Sequence, residues 1–354
     1  MSTFAIATTM VCGLESGAMK QSEPLPNRIF RLCLPMFGGL IALAISFSLT
    51  ACDKGDAGTD AEPAGGGAAA TEPAKAAAGE AQTIVLERPS KVGDKYHLSG
   101  EERSKKVMEM SMNGQAAPQQ SQSEDFIAKI EADVEVIALN EAGKVSAATI
   151  QVISLARSDD GDADSNLLSN AKVDAISADG VVTYSVGGTP VEEKTAETLK
   201  LFSLVSGGEN SKDQDIMFGT DEARKPGDEW EIDGAAVADS FSQETGMQLS
   251  AEGVKGTMKF EKVEDVGGVP CQIVSGVVTM ELTALPGLTA DAKLSNSTVT
   301  LELEGAFPTD ATLQPAEKSM TMKMAPNVAF SEQGIAAEVK MDMMRTTTAK
   351  ITAK

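Results

Sequence analysis

The chain has 354 residues, with 52 acidic and 30 basic side chains and a formal net charge of -22 at pH 7. Nucleic acid is excluded as a partner, because such an acidic surface repels phosphate groups. The chain contains a single histidine, His97, which argues against histidine-based catalysis and multi-histidine metal sites. It contains four cysteines.

The first predicted element is an export signal. No charged side chain occurs between Arg31 and Asp53, and the segment between them is the apolar run LCLPMFGGLIALAISFSLTAC. It ends in Leu49-Thr50-Ala51-Cys52, which resembles the lipobox of bacterial lipoproteins. That resemblance implies removal of residues 1–51 and acylation of Cys52, which anchors the chain to a membrane. An uncleaved transmembrane helix is the alternative, because the apolar length fits both interpretations.

A linker follows the predicted lipid anchor. Residues 53–82 consist almost entirely of Ala, Gly, Glu, Asp, Pro and Thr, so they cannot bury a core. Random-coil scaling gives a linker of this length a root-mean-square reach of about 30 Å. We therefore predict that 52–82 tethers a body, residues 83–354, to a membrane of the bacterial cell envelope, with the body outside the cytoplasm.

The body shows the period-two pattern of antiparallel strands. From Phe126 to Ala138 the even positions are apolar, while the odd positions include Lys129 and Glu135. A turn at 140–143 leads into KVSAATIQVIS, which returns as the partner strand. Strands this long twist and coil, so the sequence predicts a mainly β fold of long curved antiparallel sheets.

A short motif occurs twice and predicts two similar lobes. KVGDKYHLSG occupies 91–100 and KPGDEWEIDG occupies 225–234, and a long hairpin follows each copy. The glycine suits a tight turn, the aspartate can accept hydrogen bonds from nearby backbone N–H groups, and the aromatic side chain points inward. The residues of this structural motif are Gly93, Asp94 and Tyr96 in the first copy and Gly227, Asp228 and Trp230 in the second.

One or two short helices are predicted between the lobes, which we place at about 83–188 and 209–354. Thr189-Pro190-Val191-Glu192 is a capping box with proline at the first helical position, which predicts a helix at 190–206. A shorter helix is predicted from Asp233 to Phe241. The hairpins are offset by about 124 residues and the motif copies by 134, so we predict an insertion in the first lobe.

The order of these elements is similar to that of a known family. A capped helix, a loop ending in Phe218-Gly219, and the motif at Lys225–Trp230 before a hairpin resemble an uncharacterised family of bacterial envelope lipoproteins with β-rich bodies. The resemblance covers about half of the body. It implies an envelope location and a β-rich architecture, and it brings no assigned activity or site residues.

An acidic loop is a weak candidate for a metal site. Asp160, Asp162 and Asp164 occupy the first, third and fifth positions of a calcium loop. However, Ser165 and Ala171 stand where that loop needs glycine and a bidentate glutamate. A solvated hairpin loop is therefore the favoured interpretation.

Methionine is abundant, with 17 residues, and several methionines alternate along strands. Thioethers favour Cu(I), so a copper site is one hypothesis. Packing in a core or against a ligand is the favoured interpretation, because the intervening residues are polar. If these faces line the concave side of a curved sheet, they could accommodate an acyl chain. The sets are Met320, Met322 and Met324, then Met108, Met110 and Met112, and finally Met341 with Met343.

No motif predicts catalysis. Ser169-x-x-Lys172 matches only the first element of the penicillin-binding set, and the body has no P-loop or nucleophile elbow. Cys271, the last cysteine after cleavage, shares strand parity with Ile273 and is predicted to be buried rather than reactive. We therefore predict a membrane-anchored, non-catalytic lipoprotein without cofactor that binds an apolar ligand or lipid. The alternatives are a structural module that binds an envelope protein and methionine-based copper binding.

Overall fold

In the part of the chain that the structure describes, the fold is one antiparallel sheet with three short α-helices. A computed structural model describes the chain at residues 79–117, 121–178, 180–202, 204–205, 213–286, 288, 292–332 and 335–354. The predicted leader, Cys52 and most of the linker lie outside these ranges. Within them, sixteen strands belong to a single open sheet. The prediction of a mainly β fold of long antiparallel strands with few short helices is confirmed.

Seven strands come from the first half of the chain. Their side chains alternate between buried and exposed, as expected for a sheet with one covered face. Ala128, Ile130 and Ala132 are buried, for example, whereas Lys129 and Glu131 are exposed. In chain order the strands are β1 (Lys95–Met112), β2 (Gln115–Ala116), β3 (Gln122–Leu139), β4 (Val145–Asp159), β5 (Ser165–Ala178), β6 (Val181–Val186) and β7 (Thr189–Pro190).

Nine strands come from the second half. They are β8 (Glu229–Glu231), β9 (Gln248–Leu249), β10 (Lys255–Val266), β11 (Val269–Ala284), β12 (Lys293–Ser295), β13 (Thr298–Pro308), β14 (Glu317–Met324), β15 (Asn327–Glu332) and β16 (Ile335–Ala353). Both β14 and β15 pair with β16, since Met324 is opposite Met343 and Asn327 is opposite Lys340. Pro326, which has no N–H to donate, lies where this line of pairing is interrupted.

Three α-helices and one 3-10 turn complete the described fold. They are α1 (Glu193–Lys200), α2 (Gln214–Phe218), α3 (Gly234–Thr245) and the 3-10 turn Ala251–Gly253. Helix α3 starts after Asp233, whose carboxylate accepts a hydrogen bond from Ala236 N at 2.9 Å. It ends at Gly246, where φ is 71°. None of these helices is long and apolar enough to cross a membrane.

The helix predicted at 190–206 begins later than its capping box indicates. Thr189 and Pro190 form β7 and pair with Val186 and Ser185 of β6. Glu192 is the residue before the helix, and its side chain makes no capping hydrogen bond. Proline is tolerated both in an edge strand and at a helix start, because neither position needs a backbone N–H donor. Here Pro190 lies in the edge strand β7. The shorter predicted helix corresponds to α3, which continues to Thr245.

The two halves of the chain form successive parts of one sheet. The strand order is β8-β10-β11-β13-β14-β16 and then β1-β3-β4-β5-β6-β7. Each half therefore contributes six strands that follow one another in the same direction across the sheet. The halves meet where β16 pairs with β1, from Tyr96 opposite Ala353 to Met112 opposite Ala337. Strands β7 and β8 are the two edges.

Both copies of the repeated motif form the same turn. In the first copy the Asp94 carboxylate accepts a hydrogen bond from Lys91 N at 2.7 Å, and Gly93 N donates to Val136 O at 2.8 Å. Gly93 has φ 92°, which favours glycine. Tyr96 then points into the core. In the second copy the corresponding residues are Asp228, Lys225, Gly227 (φ 95°), Phe260 and the buried Trp230, with the same donors and acceptors.

The two halves differ between the motif and the hairpin. The motif glycines, Gly93 and Gly227, are 134 residues apart, but their partners Val136 and Phe260 are 124 apart. In the first half this stretch contains the rest of the long β1 and its return into β3. In the second half the short β8 is followed by helix α3. The second half thus has a helix where the first half has a strand segment.

One face of the sheet, called here the inner face, carries the core. One hydrophobic cluster includes Tyr96, Ile150 and Leu199 of α1, and lies on the first half. A second and larger cluster includes Trp230 and Phe241 of α3, and lies mainly on the second half. The opposite, outer face is rich in exposed charged side chains.

A segment that we call the strap, residues 80–94, runs from the linker across one end of the inner face. Gln272 donates to Thr83 O at 3.0 Å, and Gln314 donates to Pro89 O at 3.1 Å. Ile84 and Leu86 of the strap are buried in the larger cluster. The strap therefore crosses several strands of the second half before the chain enters β1.

Candidate ligand-binding face

The alternating methionines of three neighbouring strands meet on the inner face. Strands β1, β16 and β14 are adjacent in the sheet. Met108 of β1 is opposite Met341 of β16, and Met343 of β16 is opposite Met324 of β14. We call the resulting surface the methionine wall. Its members are the buried residues Met108, Met110, Met320, Met322, Met324, Met341 and Met343, and Met112 is partly buried against the same cluster.

Helix α3 belongs to the same hydrophobic cluster as the methionine wall. Ala236, Val237, Ala238 and Phe241 of α3 are buried in the same cluster as the wall. Helix α3 has only 12 residues, and two of these four residues are alanines. Methionine is unbranched and flexible, so its side chains can repack around different apolar shapes. The methionine wall can thus adapt to the shape of a ligand more easily than a core of branched residues can.

A basic side chain lies at one end of the wall. Lys318 is two residues before Met320 on β14, so both side chains lie on the same face. Lys318 is opposite Gly305 of β13. The ring of Phe307 lies over this glycine, where any Cβ would collide with it. The Lys318 amine lies 5.9 Å from the centroid of the Phe307 ring.

A second cation from the strap lies at the same ring. Arg88 is 2% exposed, and its guanidinium carbon lies 5.9 Å from the centroid of the Phe307 ring. Its Nη2 donates to Pro308 O at 2.9 Å. Burial lowers the pKa of Arg88, and the charges of Asp215 and Asp310 oppose this shift. Burial also lowers the pKa of Lys318 to about 8, against the attraction of Glu87 and with a smaller contribution from Arg88.

The carboxylates beside these cations accept hydrogen bonds from the backbone. Asp215 Oδ1 accepts from Leu86 N at 2.6 Å, and Glu87 Oε2 accepts from Gln214 N at 3.2 Å. Burial raises the pKa of Asp215, while the hydrogen bond from Leu86 lowers it. These bonds link the strap to α2, so the two carboxylates have a structural role at this end of the sheet.

A buried ion pair lies beside the wall. Glu102 of β1 is 0% exposed and accepts hydrogen bonds from Arg345 Nε and Thr347 Oγ1 of β16. Arg345 is opposite Met322, and Thr347 is opposite Met320. Burial raises the pKa of Glu102, and the positive charge of Arg345 opposes this shift. The inner face therefore combines an apolar wall with two separate charged positions.

The predicted calcium-loop residues belong to an exposed turn between β4 and β5. Asp160 has φ 52°, and its Oδ1 accepts a hydrogen bond from Asp125 N at 3.2 Å. Asp164 forms an ion pair with Lys129 at 3.4 Å. The Asp162 backbone carbonyl accepts a hydrogen bond from the Ser158 hydroxyl. Among the described residues there is no group of three or more His, Cys, Asp or Glu side chains arranged to hold a metal ion.

The remaining sequence candidates occupy different surroundings. Cys271 is a buried free cysteine, and burial raises the pKa of its thiol. His97 Nδ1 lies 2.9 Å from Asp133 Oδ1 on the outer face of the sheet. Cys52, the predicted acylation site, lies outside the described residues. Neither Cys271 nor His97 contributes to the methionine wall.

The outer face carries a groove that the sequence analysis did not predict. It has a volume of about 350 Å³ and crosses β3, β1, β16 and β14. Small side chains such as Ser99 and Thr348 form its floor, and Lys129, Glu131 and Lys350 are among its charged walls. Charges of both signs face each other there, so the groove shows no clear preference for a cation or an anion.

The charged residues of the inner face were also not predicted from the sequence. Their signal was present, because Lys318 has the strand parity of Met320 and Glu102 has the parity of Leu98 and Met108. A charged residue at a position whose neighbours in period two are buried indicates a paired or functional charge. Arg88 had no such signal, since the strap follows no strand pattern.

Comparisons with known proteins show only distant similarity. No family model and no curated protein matches the chain. Similar solved structures include lipovitellin, described for its lipid-protein interactions (TM-score 0.28, 9% identity, 75% of this chain and 25% of that one). Two others, OprG and OccK7, are from Pseudomonas aeruginosa, and OprG is an outer membrane protein. OprG has TM-score 0.23 and 7% identity over 75% of this chain and 99% of that one, and OccK7 has 0.20 and 6% over 74% and 100%.

The matched region thus spans a quarter of the lipovitellin chain. At these TM-scores the likenesses carry no argument about fold or function.

Proposed function

We propose that this protein is a membrane-anchored, non-catalytic lipoprotein of the bacterial envelope that binds an apolar ligand between its inner face and helix α3. The observation that carries the proposal is the methionine wall, in which flexible thioether side chains from three adjacent strands form one apolar surface. Adaptable apolar binding surfaces are rich in methionine for the same physical reason. An acyl chain of a lipid matches such a surface.

The small side chains of helix α3 support the entry of a ligand. Helix α3 is bounded by Gly234 and Gly246, and it presents Ala236 and Ala238 to the cluster. Apolar burial stabilises by roughly 25 cal/mol per Å², so small side chains hold a helix in place less strongly than large ones. Lifting α3 would expose the wall while the strands keep their hydrogen bonds.

The location rests on the leader and the linker. The apolar segment that ends in Cys52 supports acylation, and the linker at 53–82 supports a body that moves freely about its anchor. A linker with a reach of about 30 Å would let the body contact lipids at the surface of the membrane to which it is anchored. The proposal therefore joins a lipid-binding face to a site where lipids are available.

Native mass spectrometry tests the binding function. The chain from residue 52 onward, with Cys52→Ser to remove the acylation site, would be purified from bacteria without detergent. We expect adducts with the masses of cellular lipids, and we expect Met322→Trp, which fills the buried wall, to remove them. Met344→Trp is the matched control, because Met344 is 45% exposed on the outer face of the same sheet.

A bare mass, together with no uptake of added fatty acid, would contradict the ligand-binding function. That result would favour a structural module that binds another envelope protein.

Copper binding is a second candidate, favoured by one observation. The direct pairs Met108–Met341 and Met324–Met343 bring thioethers of three strands side by side, and thioethers favour Cu(I). A Cu(I) titration of the native chain and of a variant with Met320, Met322 and Met324 replaced by leucine tests it. Stoichiometric binding that the triple variant loses would support a copper site, and no binding by the native chain would rule it out.

A further inference from the structure

We propose that the ligand is an amphiphile with an anionic oxygen-bearing headgroup, and that Arg88 and Lys318 bind this headgroup at the strap end of the methionine wall. The inference rests on the proposed function and adds the chemical class of the ligand. A carboxylate of a fatty acid and a phosphate of a phospholipid share this headgroup chemistry. Both offer oxygens that accept hydrogen bonds from a guanidinium and an ammonium group.

The state of Arg88 is the first argument. Only its Nη2 donates a hydrogen bond, to Pro308 O, and in the described part of the chain its Nε and Nη1 have no hydrogen-bond partner. The residue is 2% exposed, so water does not replace those bonds freely. Buried polar groups are normally hydrogen-bonded, and exceptions call for an explanation. A bound oxyanion would accept hydrogen bonds from the free side of the guanidinium.

The second argument is the convergence of positive charge. Arg88 comes from the strap and Lys318 from β14, and both lie 5.9 Å from the ring centroid of Phe307. The neighbouring carboxylates of Asp215 and Glu87 accept bonds from backbone N–H groups. Asp310 is also near Arg88, and its Oδ1 accepts bonds from the backbone N and the hydroxyl of Thr312. These three acids offset the charge of the two cations, but none of them accepts a hydrogen bond from Nε or Nη1 of Arg88.

Further buried polar atoms lie on the strap and on α2, two segments that are joined by hydrogen bonds. In the described residues, Ser90 Oγ and Gln214 Nε2 are buried without a hydrogen-bond partner. Ser90 is two residues after Arg88 on the strap, and Gln214 N donates a hydrogen bond to Oε2 of Glu87, the residue before Arg88. Both atoms can donate to an oxyanion. The strap and α2 together therefore bring a cation and two neutral donors to the same end of the sheet.

The third argument is the alignment of this charge with the wall. Lys318, Met320, Met322 and Met324 alternate along one face of β14. At about 3.3 Å per residue, the distance from the first to the last position is about 20 Å, which is comparable to an extended long acyl chain. A headgroup at Lys318 would therefore let its chain follow the methionines. Charge and apolar surface together match one amphiphile better than a neutral hydrocarbon.

Isothermal titration calorimetry tests the inference. The chain from residue 52 onward with Cys52→Ser would be titrated with palmitate, with the lysophosphatidate of the same chain length, and with the matching neutral alcohol. We expect at least one of the two acids to bind about tenfold or more tighter than the alcohol, since charge-assisted hydrogen bonds are stronger than neutral ones. The tighter of the two acids identifies the carboxylate or the phosphate as the natural headgroup.

Variants locate the headgroup. Lys318→Met and Arg88→Gln should each remove most of the preference for the acid while leaving the alcohol affinity unchanged. Lys318→Arg should keep the preference, because the charge remains. Lys323→Gln is the matched control on the outer face of the same strand, where Lys323 forms an ion pair with Glu302. Circular dichroism of each variant would show that the strands are retained.

The outcomes separate this inference from the proposed function. Equal affinity for the acids and the alcohol would overturn the headgroup site and leave the apolar site standing. An acid preference that persists in both Lys318→Met and Arg88→Gln would also overturn it. If neither the acids nor the alcohol bind, the apolar function fails and the headgroup site fails with it.

Discussion

Lys318 shows how burial of a single charged residue can reduce the stability of the fold. Burial lowers the pKa of its amine from 10.5 to about 8. Below pH 8 the folded and unfolded chains both hold the proton, so the cost of burying the charge is fully present. As the pH rises from about 8 to 10.5, the folded chain releases its proton first, so this site favours folding more and more.

We therefore predict a stability difference that depends on pH. The free energy of unfolding of the native chain, minus that of Lys318→Met, should rise between pH 8 and pH 10.5. Urea unfolding at several pH values measures it, and groups common to both chains cancel in the difference. Lys323→Gln is the control, and its difference should stay flat because Lys323 is exposed. A difference that stays constant or falls for Lys318→Met would contradict this account.

Glu102 carries a charge that is fully buried. Glu102→Gln removes the negative charge but leaves the Arg345 guanidinium on the inner face, where the loss of a buried partner costs about 3 kcal/mol or more. We expect that loss in the free energy of unfolding, measured in urea at pH 7. Glu101→Gln is the matched control, because Glu101 pairs on the outer face with the exposed Arg103 and such pairs contribute at most about 1 kcal/mol. Equal effects of the two changes would contradict the difference in burial.

At the level of elements, the repeated motif makes a further prediction. Gly93 and Gly227 have φ of 92° and 95°, and a Cβ at either position meets nothing within 4 Å. The cost of alanine there is therefore one of backbone conformation alone, at about 1 to 2 kcal/mol for each turn. Thermal and urea unfolding should show similar losses for Gly93→Ala and Gly227→Ala.

The control for this prediction lies in the same turns. Lys91→Ala and Lys225→Ala keep the backbone N–H groups that donate to the motif aspartates, so they should change stability by less than about 0.5 kcal/mol. If the glycine variants were as stable as the lysine variants, the turns would not need a positive φ.

The elements also show what sequence patterns can and cannot predict. Alternation predicted long strands because one face is buried and the other is solvated along most of their length. It could not show that β16 pairs with β1, because that contact joins residues at opposite ends of the chain. The helix after Thr189-Pro190 was placed too early because an edge strand and a helix start both tolerate proline.

For the whole molecule, the tandem order of strands explains the location of the candidate site. The two halves share a turn and a strand order, but the second half carries α3 where the first half continues as β1. The methionine wall spans the junction of the halves and shares a hydrophobic cluster with that helix. The sequence predicted two lobes and alternating methionines, but their union on one face depends on pairing between distant strands.

Quenching of Trp230 fluorescence by a brominated fatty acid tests the central claim most directly. Trp230 is the single tryptophan of the chain and lies in the same buried cluster as the methionine wall. The control chain combines Trp230→Phe with Val277→Trp, which moves the tryptophan to a 51% exposed position on the outer face. The account predicts saturable quenching of Trp230 and none of the relocated tryptophan. Binding of the fatty acid without quenching of Trp230, or equal quenching of both, would contradict it.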